Sequence, residues 1–169
     1  IQEVSENTLA ETATEPGEQE KEDNAEEKIE VDKDTDADAE ILYSGKDGDL
    51  NWSIDSNGLL TISGVGDWGS EDGVMPKWSN YNDKIISASV NVKDITNTSS
   101  MFGDCNKLEE IDLSDMDMSN VTDTEDMFRD CASLKIVDMS EKNLSHVTTM
   151  AGMFLRCESL TYVNLSNTN

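Results

Sequence analysis

One histidine, three cysteines and 37 carboxylates are what this chain offers for chemistry. His146 follows Ser145, and Asp138 lies a little upstream. These are the residue types of nucleophilic catalysis, which needs a base beside the nucleophile and a third group to orient the base. Nothing in their spacing arranges them so, and His146 reads as a solvated turn residue. Carboxylates are so frequent here that pairs of them carry no weight for acid–base work. Asp47-Gly48-Asp49-Leu50-Asn51 begins like a calcium loop, but Trp52 stands where the loop needs Gly and Gly58 where it needs Glu. That leaves only weak, non-specific attraction of Ca²⁺ to an acidic surface. The residues therefore predict no enzyme, no metal centre and no cofactor.

The cysteines are informative in another way. Cys105, Cys131 and Cys157 are spaced by 26 residues, as are Met101-Phe102, Met127-Phe128 and Met153-Phe154, and Leu108, Leu134 and Leu160. A fixed period in this range is the signature of a solenoid, whose units stack on their copies to share a core. Reduced, buried thiols in a ladder fit the odd count and the apolar neighbours better than disulfides do. A zinc site is disfavoured because no His shares their face.

The elements that must position these residues can be read from one unit. Ile95-Thr96, Val121-Thr122 and Val147-Thr148 open it, with Thr as a candidate helix N-cap and Thr122-Asp123-Thr124-Glu125 in capping-box form. A short helix is predicted over 98–105, 124–131 and 150–157. A strand then closes each unit, at Glu110–Leu113, Ile136–Met139 and Tyr162–Leu165. Period two sends 111 and 113 and their equivalents inward. It leaves Glu110, Asp112, Ile136, Asp138, Tyr162 and Asn164 outward, in columns about 4.8 Å apart. Like-charged Asp side chains so stacked repel modestly and attract a cation or a basic group. Ile136 and Tyr162 add the apolar area that anchors interfaces. These six residues are the candidate ligand face, and a merely solvated face is the alternative.

Upstream, Asn51–Asp55 and Leu60–Ser63 alternate polar and apolar residues around Ser56-Asn57-Gly58, a hairpin signal of the type I′ kind. Ile85–Val92 reads as another strand. Trp52, Trp68 and Trp78 all fall in this region. They either build the small core that closes the end of a solenoid or form an aromatic platform, for instance for sugars.

The net charge of −25 divides into −13 over residues 1–40 and −12 over 41–169. The first stretch lacks aromatic residues and cannot bury enough apolar surface to offset the entropy of ordering. It is expected to be a disordered, solubilising linker, with a docking tail for a basic partner as the alternative. The charge and the lack of a basic stripe exclude nucleic-acid binding. No apolar run approaches the roughly 18 residues of a membrane span, so no membrane insertion is expected. The domain reading is 1–40 acidic linker, 41–93 β-rich capping module, and 94–169 three 26-residue leucine-rich repeats in an array expected to continue beyond Asn169.

Val121–Leu134 and Met150–Leu160 closely resemble the 26-residue bacterial surface-protein repeat, grouped with the BspA-type leucine-rich repeats of Gram-positive and mycoplasma surface proteins. Leu50–Gly64 with Pro76-Lys77-Trp78-Ser79 is similar to the module that often precedes such repeats. The resemblance covers about residues 45–169 and is weakest in the first unit, at Thr98-Ser99-Ser100. It implies an α/β fold: a right-handed leucine-rich-repeat solenoid, strands on the concave side, with a small β-rich N-terminal cap. It also implies a secreted or cell-surface bacterial location and binding of a protein ligand, in some members host matrix or serum protein, by a monomer. The alternatives are a structural spacer with no ligand and a non-catalytic arm of a larger protein.

Overall fold

The computed structural model describes residues 39–69 and 75–169. The expectation for the acidic linker falls almost wholly outside them. The chain is mostly β. Strands β1 (Ile41–Asp47), β2 (Leu50–Asp55) and β3 (Leu59–Val65) form an antiparallel meander. Strands β4 (Ser87–Lys93), β5 (Glu110–Asp112), β6 (Ile136–Asp138) and β7 (Tyr162–Asn164) follow, one from each of four successive solenoid turns. β4 joins β3 in parallel, β5 joins β4, and β6 pairs β7. The meander thus runs directly into the solenoid sheet.

The hairpin between β2 and β3 forms where the sequence places it, with Ile54 opposite Leu60. Its turn differs from type I′. Of the central pair only Gly58 has positive φ, at 79°, and Gly58 N–H donates to Asp55 C=O at 3.0 Å. This is a three-residue loop ending in a left-handed glycine. Asp55 favours it by accepting from the N–H groups of Asn57 and Leu59, each at 2.9 Å.

The predicted helices are absent. Among the described residues the only helical element is a short 3-10 turn, Lys77–Tyr81. Over 98–105 and its repeats the chain makes successive tight turns. Left-handed residues interrupt it at Ser100 and Asp104, Asp126 and Asp130, and Gly152 and Arg156. A helix tolerates no such residues, and here the N–H groups that a helix would turn inward point along the solenoid axis. Thr98, Ser100, Phe102 and Asp104 donate to the carbonyls of Asp123, Glu125, Met127 and Arg129 at 2.8–2.9 Å. Thr124, Asp126, Phe128 and Asp130 repeat the pattern onto Thr149, Ala151, Met153 and Leu155 at 2.8–3.1 Å. The opening threonines are not N-caps either. Thr122 and Thr148 each give backbone N–H and side-chain O–H to the threonine carbonyl one turn earlier.

The core lies between this arc and the strands. The rings of Phe102, Phe128 and Phe154 stack nearly parallel at 5.5 and 5.7 Å. Met101, Met127 and Leu108, Leu134 are buried in the same register. Cys131 and Cys157 each direct Sγ at the phenylalanine carbonyl of the preceding turn, at 3.1 and 3.0 Å.

The first of these arcs, 98–105, has no arc before it, and side chains take its place. The Trp78 Nε1–H donates to Met101 C=O at 2.9 Å, and Asn82 Nδ2–H to Gly103 C=O at 3.0 Å. Asn82 Oδ1 accepts from the Cys105 thiol at 3.3 Å. The Asp67 carboxylate accepts the Thr96 N–H at 2.8 Å and its hydroxyl at 2.7 Å. One indole, one carboxamide and one carboxylate thus stand in for peptide groups. Asp47 pins the cap by accepting Gly69 and Lys77 N–H, at 3.2 and 2.7 Å. Gly48 lies so close to Gly69 that a side chain there would strike its backbone N at 2.4 Å.

Candidate functional site

Strand pairing sets the candidate face. Glu110 and Asp112 lie beside Ser87 and Ser89 of β4, which lie beside Leu59 and Thr61 of β3. Ile136 lies beside Tyr162 and Asp138 beside Asn164. All six predicted residues sit on this one face. Glu110, Asp112 and Asp138 are exposed, Ile136 and Tyr162 are 53 % and 56 % exposed, and Asn164 is half-buried.

The structure brings the aspartates to a second task. Asp112 Oδ1 accepts the Ser114 N–H at 2.9 Å, and Asp138 Oδ1 the Ser140 N–H at 2.8 Å. Asn164 does the same with Ser166 at 3.1 Å. Each such loop turns the chain away from the sheet. The hydrogen bonds to Ser114 hold the Asp112 carboxyl below its usual value, and those to Ser140 do so for Asp138, with Lys142 adding a smaller pull on both. The pair is therefore not two bare like charges. Lys142 is anchored beside it, donating to Ser114 C=O at 2.7 Å and Met116 C=O at 3.0 Å.

The pairing also opens a groove. β5 and β6 share no strand ladder; the backbone link beside them is Lys135 N–H to Glu109 C=O at 3.3 Å. A shallow groove of about 380 Å³ lies there, lined among others by Asp112, Ser114, Asp138, Ser140 and Lys142. A second, of about 320 Å³, runs over Leu59, Ser87, Ser89, Glu110 and Asp112. Lys142 and the Ser87/Ser89 pair are members of the face that sequence reasoning missed. The signals were there: Ser87-Ala88-Ser89 alternates in a recognised strand, and Lys142 is a lone cation amid acidic turns.

The other candidates lie elsewhere. Trp52, Trp68 and Trp78 are buried, with Trp68 edge-on to Trp78 at 5.9 Å, so they offer no platform for a ligand to stack on. His146 is exposed, and its Nδ1 contacts Ser119 C=O at 2.8 Å. The Ser145 hydroxyl donates to Asn143 Oδ1 at 2.7 Å. These partners leave no nucleophile–base pair. The three thiols are free; burial pushes Cys105 up to about 12 and raises Cys131 and Cys157. Among the described residues no helix is long and apolar enough to cross a membrane, and no cluster of His, Cys, Asp and Glu could hold a metal ion.

What stands assembled is a β-solenoid with 26-residue turns, closed at its first turn by an antiparallel meander and presenting a polar strand face. Residues 72–168, more than half of the chain, match the family described as "Mycoplasma protein of unknown function, DUF285", and the chain belongs to that family. No curated protein and no solved structure matches it.

Proposed function

We propose that this is a protein-binding module of the BspA-type leucine-rich-repeat kind, right-handed, on a bacterial cell surface or secreted from it, and without catalytic activity of its own. The observation that carries the reading is the pairing of Ile136 with Tyr162, two large apolar side chains more than half exposed on an otherwise polar sheet. Exposed aromatic anchors rimmed by polar groups are the usual centre of an interface. Glu110, Asp112, Asp138 and Asn164 form the rim, and a ligand with basic groups complements it. The family name favours a bacterial source.

A structural spacer is the second reading. Its support is that the face aspartates already serve the strand-end turns.

The test is surface plasmon resonance of the whole chain against purified matrix and serum proteins, with a Glu110→Lys/Ile136→Lys/Tyr162→Ala variant. These three side chains take no part in the strand-end turns. Saturable binding that the variant loses supports the module reading. Binding by both moves the site off the strand face, and binding by neither favours the spacer.

A further inference from the structure

The outward side of the sheet runs on past the six candidate residues and over the cap. Strand register sets two rows across it. Ser44 of β1 lies beside Ser53 of β2, Ser53 beside Thr61 of β3, Thr61 beside Ser89 of β4, and Ser89 beside Asp112 of β5. Lys46, Asn51, Ser63 and Asn91 form the second row. The alternating residues Trp52, Ile54, Leu60, Ile62 and Val90 are buried on the core side.

These rows differ from the rest of the surface in two ways. Between Lys46 at one edge and Asp112 at the other they hold no ionisable group, in a chain of net charge −25. Their side chains are also idle. In the same segment Asp47, Asp55, Ser56 and Asp67 all accept hydrogen bonds. Apart from Asp112, no side chain in either row makes a hydrogen bond to another described residue. Ser53 is the clearest case, 6 % exposed between its neighbours with its hydroxyl unpartnered. A polar group so placed is costly unless it finds a partner, and the open side of the sheet is where one can approach. The shallow groove of about 320 Å³ over Leu59, Ser87, Ser89 and Glu110 continues the same surface.

The chemistry of the rows selects the ligand. Hydroxyls and carboxamides both donate and accept, so they suit a partner that carries both functions on neutral groups. A cation is drawn instead to the carboxylates of β5 and β6, and an anion is repelled by the net charge. Spacing narrows the choice. Strands lie about 4.8 Å apart, so the hydroxyl row repeats at that interval over about 19 Å. That interval is close to the length of one ring in a β-1,4-linked sugar chain, which is straight and carries hydroxyls along both edges. An extended polypeptide repeats at about 3.3 Å per residue and falls out of step.

We infer that the outward face of β1 to β4 binds a linear neutral glycan, laid across the strands with one ring per strand and with Ser53, Thr61 and Ser89 as its central hydrogen-bonding partners. The surface shares no residue with the Ile136–Tyr162 pair, so it is independent of the protein-ligand reading.

The probe is cellohexaose, titrated into the whole chain and followed by amide chemical shifts, with maltohexaose, whose α-1,4-linked chain curves, as the comparison. Saturable shifts at Ser53, Thr61 and Ser89 are expected with cellohexaose. Thr61→Val keeps the side chain's shape and suits a strand, and should weaken binding about fivefold. Ser53→Ala/Thr61→Val/Ser89→Ala should abolish it, with the remaining amide shifts as the check of folding. If the triple variant fails that check, Thr61→Val alone decides. Absence of saturable shifts in the native chain overturns the inference, as does unchanged binding by a folded variant. Equal affinity for maltohexaose also overturns it, because the strand spacing would then select nothing.

Discussion

At the residue scale, the side chains that looked available for chemistry are occupied in turning the chain. Asp or Asn accepts the N–H two residues on at Asn97, Asp112, Asp117, Asp123, Asp138, Asn143 and Asn164. The strand-end position takes Asp in two turns and Asn in the third, so what it needs is an oxygen, not a charge. Asp112→Asn should leave stability near neutral pH almost unchanged. Asp112→Ala should cost about 1 kcal/mol, the net worth of one hydrogen bond, read by urea titration. Acid separates the two further. Hydrogen bonds to Ser114 lower the Asp112 carboxyl from its ordinary value of 3.8, and hydrogen bonds to Ser119 lower Asp117 likewise. A lowered folded value means that the stabilisation is present above the unfolded value and is lost as pH falls through the folded one. Both groups are mostly exposed, so solvent screening keeps the effect small. The Asp112→Asn chain should lose less stability than the native one between pH 5 and pH 2. Thiol reactivity offers an independent check. Cys157, less buried than its two counterparts, should be alkylated first at pH 8, and Cys105 and Cys131 only in denaturant, as mass spectrometry after timed labelling would report.

At the element scale, six of the seven strands were legible, β1 was not, and helices were misread. The strands announce themselves by alternation at a fixed period, and the same residues that alternate are those that pair. The Met-Phe arcs imitate an amphipathic helix because their apolar residues fall at near-helical spacing. Two things defeat that reading. Ser100, Asp126 and Gly152, with Asp104 and Asp130, mostly tolerate left-handed backbone, and the Asx loops beside them compete with a helix for the same N–H groups. The deciding bonds run between residues 25 apart, which no local window contains. The candidate face was legible because period two fixes which side chains point out; the anchoring of Lys142 to Ser114 and Met116 beside it was not, since it spans successive turns. The cap was legible as a module but not as a set of mimics of peptide groups. Asn82→Leu is the test of that role. It removes the donor to Gly103 C=O and the acceptor for the Cys105 thiol, leaving buried groups unpaired at a cost of roughly 1–3 kcal/mol. Asn82→Gln, which keeps the chemistry but shifts its reach, should recover part of the loss. Equal loss in both would mean that packing alone matters there.

At the scale of the whole molecule, a solenoid's stability is close to a sum over turns and their interfaces, so its two ends need not melt together. This one is closed at the β4 side, where the meander extends the sheet to five strands, and β7 is its last described strand. The ladder is interrupted at β5–β6, leaving the arcs, Lys142 and the bonds of Lys135 to Glu109 to hold the second and third turns together. Amide exchange should therefore fall into steps. The N–H of Thr161, bonded across to Lys135, should exchange early, and those of β4 last. Phe128 lies in the middle of the stack and is fully buried, so Phe128→Ala removes contacts with both neighbouring rings. It should cost about 3–5 kcal/mol and uncouple the last turn from the rest. A chain that unfolds as one unit would lose protection everywhere at once in that variant. A chain that unfolds turn by turn should keep β1 to β4 protected while β6 and β7 become fast, and the break at β5–β6 favours this second outcome.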